Sequence, residues 1–99
     1  MEIGRVVGTV VSTAKVDRLI GQKLMLVNVV NPDLKPTSNY VVAVDGVGAG
    51  ANEIVIVVRG SSARQAQMLQ NVPTDASIVA IVDAIELGGQ IVYQKSGGQ

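Results

Sequence analysis

Three small residues in the middle of the chain have the spacing of a nucleotide-binding loop. Gly46, Gly48 and Ala51 fit the dinucleotide fingerprint G-x-G-x-x-G/A, and an apolar run over residues 41–44 predicts a strand before them. A nucleotide-binding loop of this kind leads into a helix, because the helix N-terminus binds the pyrophosphate. Here residues 54–58 read Ile-Val-Ile-Val-Val, a β-branched run that is typical of a strand. The pattern therefore favours a loop between two strands, and nucleotide binding by residues 46–50 stays an alternative.

The remaining chemistry is limited by the residue types present. The sequence has no histidine and no cysteine, which excludes the commonest acid–base and nucleophilic arrangements. Asp45 and Asp83 each lie in an apolar run. A carboxylate in such surroundings can act as an acid, but it more often accepts backbone N–H groups at a strand end or pairs with an arginine. The acidic residues also lack calcium-loop spacing, so we expect no catalytic residue, no cofactor and no metal.

Composition argues against nucleic acid and membrane as partners. The chain has 99 residues, with 8 basic and 8 acidic residues and only two aromatic ones. Barrels that bind single-stranded nucleic acid use stacking aromatics in a positively charged groove, so a nucleic-acid-binding barrel is kept only as an alternative. No apolar run approaches the roughly 20 residues of a spanning helix, and the N-terminus lacks the pattern of a signal peptide. We expect a protein of the cytoplasm.

Hydrophobic patterning predicts an all-β fold, a small antiparallel OB-like barrel. Gly88-Gly89 has the form of a two-residue hairpin turn. Gly4 and Gly8 interrupt the first strand, which predicts a bulge or a close backbone approach. Residues 63–70, capped by Ser61 or Ser62, predict one short helix, and residues 34–39 are expected to be irregular around Pro36. The predicted strands are residues 3–12, 23–30, 40–45, 54–59, 77–87 and 90–95, forming one domain over residues 1–95 with a tail at 96–99.

The fourth and fifth predicted strands are apolar on both faces. Alternation places Ile54, Ile56 and Val58 on one side of the fourth strand, with Val55 and Val57 on the other. A small barrel has a single dry interior, so the second face needs another cover. The short predicted helix can cover some of this face, and the pattern predicts a neighbouring copy of the chain as the cover for the rest.

Several short motifs of small and apolar residues follow one another along most of the chain. They are Val7-Gly8-Thr9-Val10-Val11-Ser12-Thr13, Leu19-x-Gly21-x-Lys23-Leu24-x-x-Val27, Val42-Ala43-Val44-Asp45-x-Val47-Gly48-Ala49-Gly50-x-x-Glu53, Gly60-Ser61-Ser62-Ala63-Arg64, Pro73-x-Asp75 and Ile81-Val82-Asp83. Taken in this order, the motifs resemble one family, the EutN/CcmL vertex proteins of bacterial microcompartment shells. Ala80 and Ile54 stand where many members carry glycine and tryptophan, and both keep an apolar strand position.

The resemblance implies an OB-like barrel that forms homopentamers and has no enzymatic activity. It implies a structural role at the vertices of a carboxysome-like or metabolosome shell, with hexameric shell proteins as partners in the bacterial cytoplasm. A ring requires a heterologous interface that closes on itself, and the residues alone allow five or six copies. The small-residue loops on either side of the fourth strand are the expected joints between copies. The residues expected at the subunit interface are Asp45, Gly48, Ala49, Gly50, Gly60, Ser61, Ser62, Ala63, Arg64, Ile81 and Asp83.

Overall fold

In the part of the chain that the structure describes, five strands close into a barrel and two more form a separate hairpin. The computed structural model describes residues 1–11, 13, 21–60 and 76–95. Around the barrel the order is β1-β2-β3-β5-β4, and β1 also pairs with β4. All barrel pairs are antiparallel except β3 with β5, which is parallel over two residue pairs. The strands are β1 (Glu2–Val10), β2 (Leu24–Val30), β3 (Pro36–Asp45), β4 (Ile54–Arg59), β5 (Ala76–Ile81), β6 (Ala84–Leu87) and β7 (Gln90–Gln94).

The predicted all-β barrel is thereby confirmed, with its core made almost entirely of aliphatic side chains. Because barrel strands alternate inward and outward residues, the core takes one face of each strand. None of the described segments forms a helix with the length and hydropathy needed to cross a membrane. The helix predicted at residues 63–70 and the tail at 96–99 lie outside the described residues. The core cluster is Val6, Met25, Val27, Ala43, Ala49, Val55, Val57, Ala76 and Ile78, with Val41 and Ile81 packed against it.

The third strand begins earlier than predicted, at Pro36 rather than Tyr40. Proline is tolerated at the first residue of a strand, where its missing N–H is not needed. A register shift opposite Asn28 then accommodates the next residues. The buried Asn28 amide donates to the carbonyl oxygens of Thr37 (2.9 Å) and Asn39 (3.1 Å), so a side chain replaces part of the backbone ladder. The expected irregular stretch at residues 34–39 was therefore wrong from residue 36 onward.

The long fifth strand predicted at residues 77–87 is two strands. β5 ends at Ile81, where the N–H of Val82 donates to the carbonyl of Ile54 at 2.8 Å. After Asp83 the chain leaves the barrel and forms β6. The hairpin turn is as predicted, since Gly88 and Gly89 have φ values of 61° and 83°, both positive as a type I′ turn requires.

The second apolar face of β4 is already covered within the single chain, so this strand does not need the predicted neighbouring copy. Ile54 is 0% exposed and Val58 is 7% exposed within the single chain. In β5 the register shifts, because Ile56 pairs with Ala80 while Val57 pairs with Ile78. The extra residue places Ile81 on the core side together with Ile78, whereas strict alternation puts residues three apart on opposite faces.

The two glycines of β1 have different structural reasons. Gly8 lies at a register shift in the pairing with β2, which is the first of the two predicted alternatives, a bulge or a close backbone approach. Gly4 is a close approach, since a Cβ there would overlap Val27 Cγ1 and lie 3.0 Å from the carbonyl oxygen of Asn28. A Cβ at Gly8 would meet only Leu26 Cβ at 3.8 Å, an ordinary contact.

This difference gives a matched pair of variants within one strand. Gly4→Ala should lower the free energy of unfolding by about 1–3 kcal/mol, because the added methyl overpacks against backbone as well as side chain. Gly8→Ala should leave it unchanged or raise it by up to about 1 kcal/mol, because alanine loses less conformational entropy than glycine. Urea unfolding of both variants at one protein concentration measures the two effects. Equal losses would contradict the assignment of Gly4 as the close approach.

Candidate subunit interface

A buried carboxylate organises the loop that follows β3. The side chain of Asp45 is 0% exposed. Its Oδ1 accepts the N–H groups of Val47 (3.0 Å) and Gly48 (3.1 Å), and its Oδ2 accepts that of Ala49 (2.9 Å). The ammonium of Lys23 lies 3.7 Å from Oδ2. The interpretation of Asp45 as a carboxylate that accepts backbone N–H groups at a strand end is confirmed.

A second carboxylate completes the loop and ties it to the hairpin. Oε1 of Glu53 accepts the N–H of Gly50 at 2.5 Å, and Oε2 pairs with the ammonium of Lys95 at 2.9 Å. The hydrogen bond from Gly50, and next the contact with Lys95, lower the pKa of Glu53. The same partner raises the pKa of Lys95. Glu53 thus joins the loop after β3 to the last residue of the hairpin.

These bonds bear directly on the nucleotide alternative. A phosphate-binding loop offers free backbone N–H groups to the anion. In this loop each amide from Val47 to Gly50 already donates to a carboxylate of the same loop. Two negative charges also occupy the place where a phosphate would bind. The glycine spacing therefore serves a compact turn around Asp45, and no amide of residues 47–50 is left for a phosphate.

The predicted interface residues fall at two ends of the barrel. The loop after Asp45 and the end of β5 lie at the end of the barrel where β4 begins, because β3 runs parallel to β5 and β5 runs antiparallel to β4. Gly60 follows β4 at the opposite end, about 20 Å away at 3.3 Å per residue. Ser61, Ser62, Ala63 and Arg64 lie outside the described residues. The structure brings together Asp45, Gly48, Ala49, Gly50, Ile81 and Asp83, and it separates Gly60 from them.

The grouped residues differ in what they offer to a neighbour. Ala49 is 1% exposed and belongs to the core of its own chain, and Asp45 uses its carboxylate within the loop. Gly48 and Asp83 are exposed, while Gly50 and Ile81 are half-buried. Asp45 and Ala49 are buried, so they can affect an interface only by fixing the conformation of the loop. Direct contact with a neighbouring copy stays a prediction for the exposed and half-buried residues of this group.

Sequence reasoning missed two exposed aliphatic surfaces. One is the outer side of β1–β3, where Val7 and Val42 are 46% and 43% exposed. The other is the β6–β7 hairpin, where Leu87 and Ile91 are 46% and 64% exposed. The surface on β1–β3 could have been found from the sequence. Like β4, strands β2 and β3 contain apolar runs without alternation, which indicates apolar residues on both faces. Among the described residues, no three acidic, histidine or cysteine side chains group as metal ligands.

The role of Asp45 can be tested by removing one acceptor oxygen. Asp45→Asn should lower the free energy of unfolding by about 1–3 kcal/mol, because the side-chain amide leaves a buried backbone N–H without its acceptor. Asp33→Asn is the matched control, since this exposed turn carboxylate accepts one amide from Lys35 at 3.1 Å. The control should change stability by less than about 0.5 kcal/mol. Denaturant unfolding at pH 7 distinguishes them, and equal effects would contradict the loop's dependence on Asp45.

The Glu53 contacts predict a specific pH dependence. A carboxyl whose folded-state pKa is lowered below its ordinary value of 4.5 stabilises the fold above that pH. The contribution is lost as the pH falls through the lowered pKa. Glu53→Gln should therefore be less stable than the natural chain above pH 4.5, and the difference should shrink on further acidification. Unfolding curves from neutral to acid pH measure the gap, with Glu86→Gln as an exposed-carboxylate control, and a gap independent of pH would refute the expectation.

Comparison with known proteins places the chain among shell proteins. The family model described as "Ethanolamine utilisation protein EutN/carboxysome" matches residues 1–83. The carboxysome shell vertex protein CcmL of Gloeobacter violaceus is 41% identical over 95 residues, which is 96% of this chain and 95% of that protein. The microcompartment shell vertex protein EutN of Escherichia coli K12 is 38% identical over 95 residues, 96% and 100% of the two chains.

Solved structures agree with the sequence matches. The structure of Gloeobacter violaceus CcmL superposes with a TM-score of 0.90 over 96% of this chain and 98% of that one, at 41% identity. The GrpN pentameric microcompartment shell protein from Rhodospirillum rubrum superposes with a TM-score of 0.80 at 48% identity, covering 88% and 99% of the two chains. The barrel, its motifs and these relatives together show that the chain belongs to the EutN/CcmL family.

Proposed function

We propose that the chain assembles into a homopentamer that closes the vertices of a polyhedral bacterial microcompartment shell. The observation that carries the proposal is its likeness, at 48% identity, to a relative solved as a pentameric shell protein. Other relatives of almost the same length are named as shell vertex proteins. On this proposal the chain resides in a shell in the bacterial cytoplasm, and its partners are other copies of itself and hexameric shell proteins.

The described chemistry supports a structural role without catalysis. The sequence contains neither histidine nor cysteine. The two carboxylates nearest the glycine loop are each committed to backbone N–H groups of that loop. Such carboxylates stabilise a fold and are not poised for proton transfer to a substrate.

The distribution of exposed aliphatic residues supports assembly. In a cyclic ring each copy presents two different surfaces, one to each neighbour. Exposed contiguous apolar patches on small proteins mark interaction sites. The outer side of β1–β3 and the β6–β7 hairpin are two such surfaces, on different elements of one chain.

Native mass spectrometry tests the ring. The expected mass is that of five 10.3-kDa chains, 5 × 10.3 = 51.5 kDa. A monomer or dimer at micromolar concentration would contradict the proposal. Gly50→Glu should lower the pentamer fraction, because it adds a negative charge beside Glu53 in the predicted joint. Gly50→Ala is its control and should leave the pentamer fraction unchanged. It adds no charge, and its methyl group would lie 3.4 Å from Glu53 Oε1.

Vertex closure needs a separate measurement. Co-expression with a hexameric shell protein should give closed polyhedral particles that contain this chain, seen by electron microscopy and in purified shells. The hexameric protein alone should give sheets, tubes or unclosed particles, because a hexagonal layer closes only with fivefold units. Closed particles that form equally well without this chain, or that exclude it, would refute the vertex role while leaving the pentamer intact.

A further inference from the structure

The β6–β7 hairpin is a two-stranded ribbon that stands apart from the barrel sheet. An isolated two-stranded hairpin is at best marginally stable in water. This one nevertheless carries exposed aliphatic residues, with Leu87 at 46%, Ile91 at 64% and Val92 at 36% exposure. A ribbon of this composition gains stability from a cover on one of its faces.

The register of the hairpin separates an apolar face from a polar one. Ile85 pairs with Tyr93, and Leu87 lies two residues after Ile85 on the same side. We call this side, Ile85, Leu87 and Tyr93, the Leu87 face. The opposite side carries Glu86 and Ile91, which pair with each other, and it includes a charge. The Leu87 face has no charged residue, so it is the better side for packing against another apolar surface.

The base of the hairpin is fixed to the barrel. The N–H of Lys95 donates to the carbonyl of Asp83 at 2.7 Å, closing the hairpin at its base. The Lys95 ammonium pairs with Glu53 at 2.9 Å, and Glu53 also holds the amide of Gly50. These contacts set the direction of the hairpin before any partner binds, which lowers the ordering cost of docking.

A receiving surface of matching character lies on the outside of β2 and β3. Leu26 pairs with Val42, and their strand neighbours Met25 and Ala43 belong to the core, so Leu26 and Val42 face outward. Leu24 continues this side along β2, half-buried like Leu26. No charged residue lies in β2, and Val42 is 43% exposed. We call this surface the Val42 face.

We propose that the hairpin of one copy packs its Leu87 face on the Val42 face of the neighbouring copy. The proposal rests on the homopentamer proposed above and names the contact between its subunits. A second copy is the fitting partner because a ring requires two different, complementary surfaces on one chain, and these two are uncharged and mainly apolar. The family model ends at residue 83, immediately before β6. The contact between the hairpin and the neighbouring Val42 face, which we call the clasp, therefore adds to the contacts that residues 1–83 make.

The cysteine-free sequence allows a clean cross-linking test on the full chain. Two single-cysteine variants, Leu87→Cys and Val42→Cys, are mixed, dissociated and reassembled together, then treated with a short bismaleimide. A cross-link joining the two variants must connect different copies. Ile91→Cys on the opposite hairpin face is the matched control. The Leu87–Val42 product should exceed the Ile91–Val42 product by about tenfold, because each thiol adds to one maleimide and a short spacer joins only thiols that lie close together.

The outcomes separate this proposal from the proposed function. A 51.5-kDa assembly with the expected cross-link preference supports the clasp. The same assembly with no Leu87–Val42 product, or with equal products from both hairpin faces, overturns the clasp and leaves the pentamer standing. A chain that remains monomeric overturns the pentamer and the clasp with it. As a second measurement, Leu87→Asp should raise the concentration at which the pentamer dissociates about tenfold or more, while Ile91→Asp should change it less than about threefold.

Discussion

The structure depends on a carboxylate that is fully removed from water at the end of β3. Burying an ionised carboxylate is costly unless hydrogen-bond donors replace the lost water. Asp45 receives three backbone N–H groups from the loop that follows it, with Lys23 nearby. Hydrogen bonds to a charged acceptor are stronger than neutral ones. The loop can therefore take only conformations that direct these amides toward Asp45, which fixes how the chain passes from β3 into β4.

That constraint extends beyond the loop. Ala49 is placed in the core by the turn around Asp45, and the amide of the next residue, Gly50, is directed to Glu53. Glu53 in turn pairs with Lys95 at the base of the hairpin. A short series of charge-assisted contacts thus links the end of β3 to an element about forty residues later in the chain. The hairpin's direction follows from the same interactions that remove the loop's capacity to hold a phosphate.

The sequence predicted those features that depend on local rules. β4 has the predicted bounds because a β-branched run between glycines leaves few alternatives. The turn at Gly88 and Gly89 follows from their freedom to adopt positive φ. The strand-end role of Asp45 was also predictable from its position after an apolar run. The partner of Glu53 was not, since nothing in the local pattern marks Lys95, and the contact exists only once the hairpin has folded back.

The errors have long-range causes. The early start of β3 depends on the side chain of Asn28, which takes the place of a ladder bond across a register shift. The end of β5 depends on its partner strand, because the last pair between the two is Val55 with Ile81 and β4 begins at Ile54. Alternation along one strand contains neither piece of information. It therefore predicted a single long strand where the chain leaves the barrel and begins the β6–β7 hairpin.

The location of the unpartnered surface follows from the same reasoning. Apolar residues on both faces of a strand show that both faces are covered, but they do not show whether the cover belongs to the same chain. In β4 the outward Ile54 and Val58 are already buried within one chain, whereas the outward Val42 of β3 stays exposed. The apolar surface that still lacks a cover is therefore the outer side of β3, and not that of β4. The hairpin is the complement that we propose, because it also carries exposed apolar residues. In the proposed ring, the hairpin of each copy covers the Val42 face of the next copy, so that both apolar surfaces are buried by one contact.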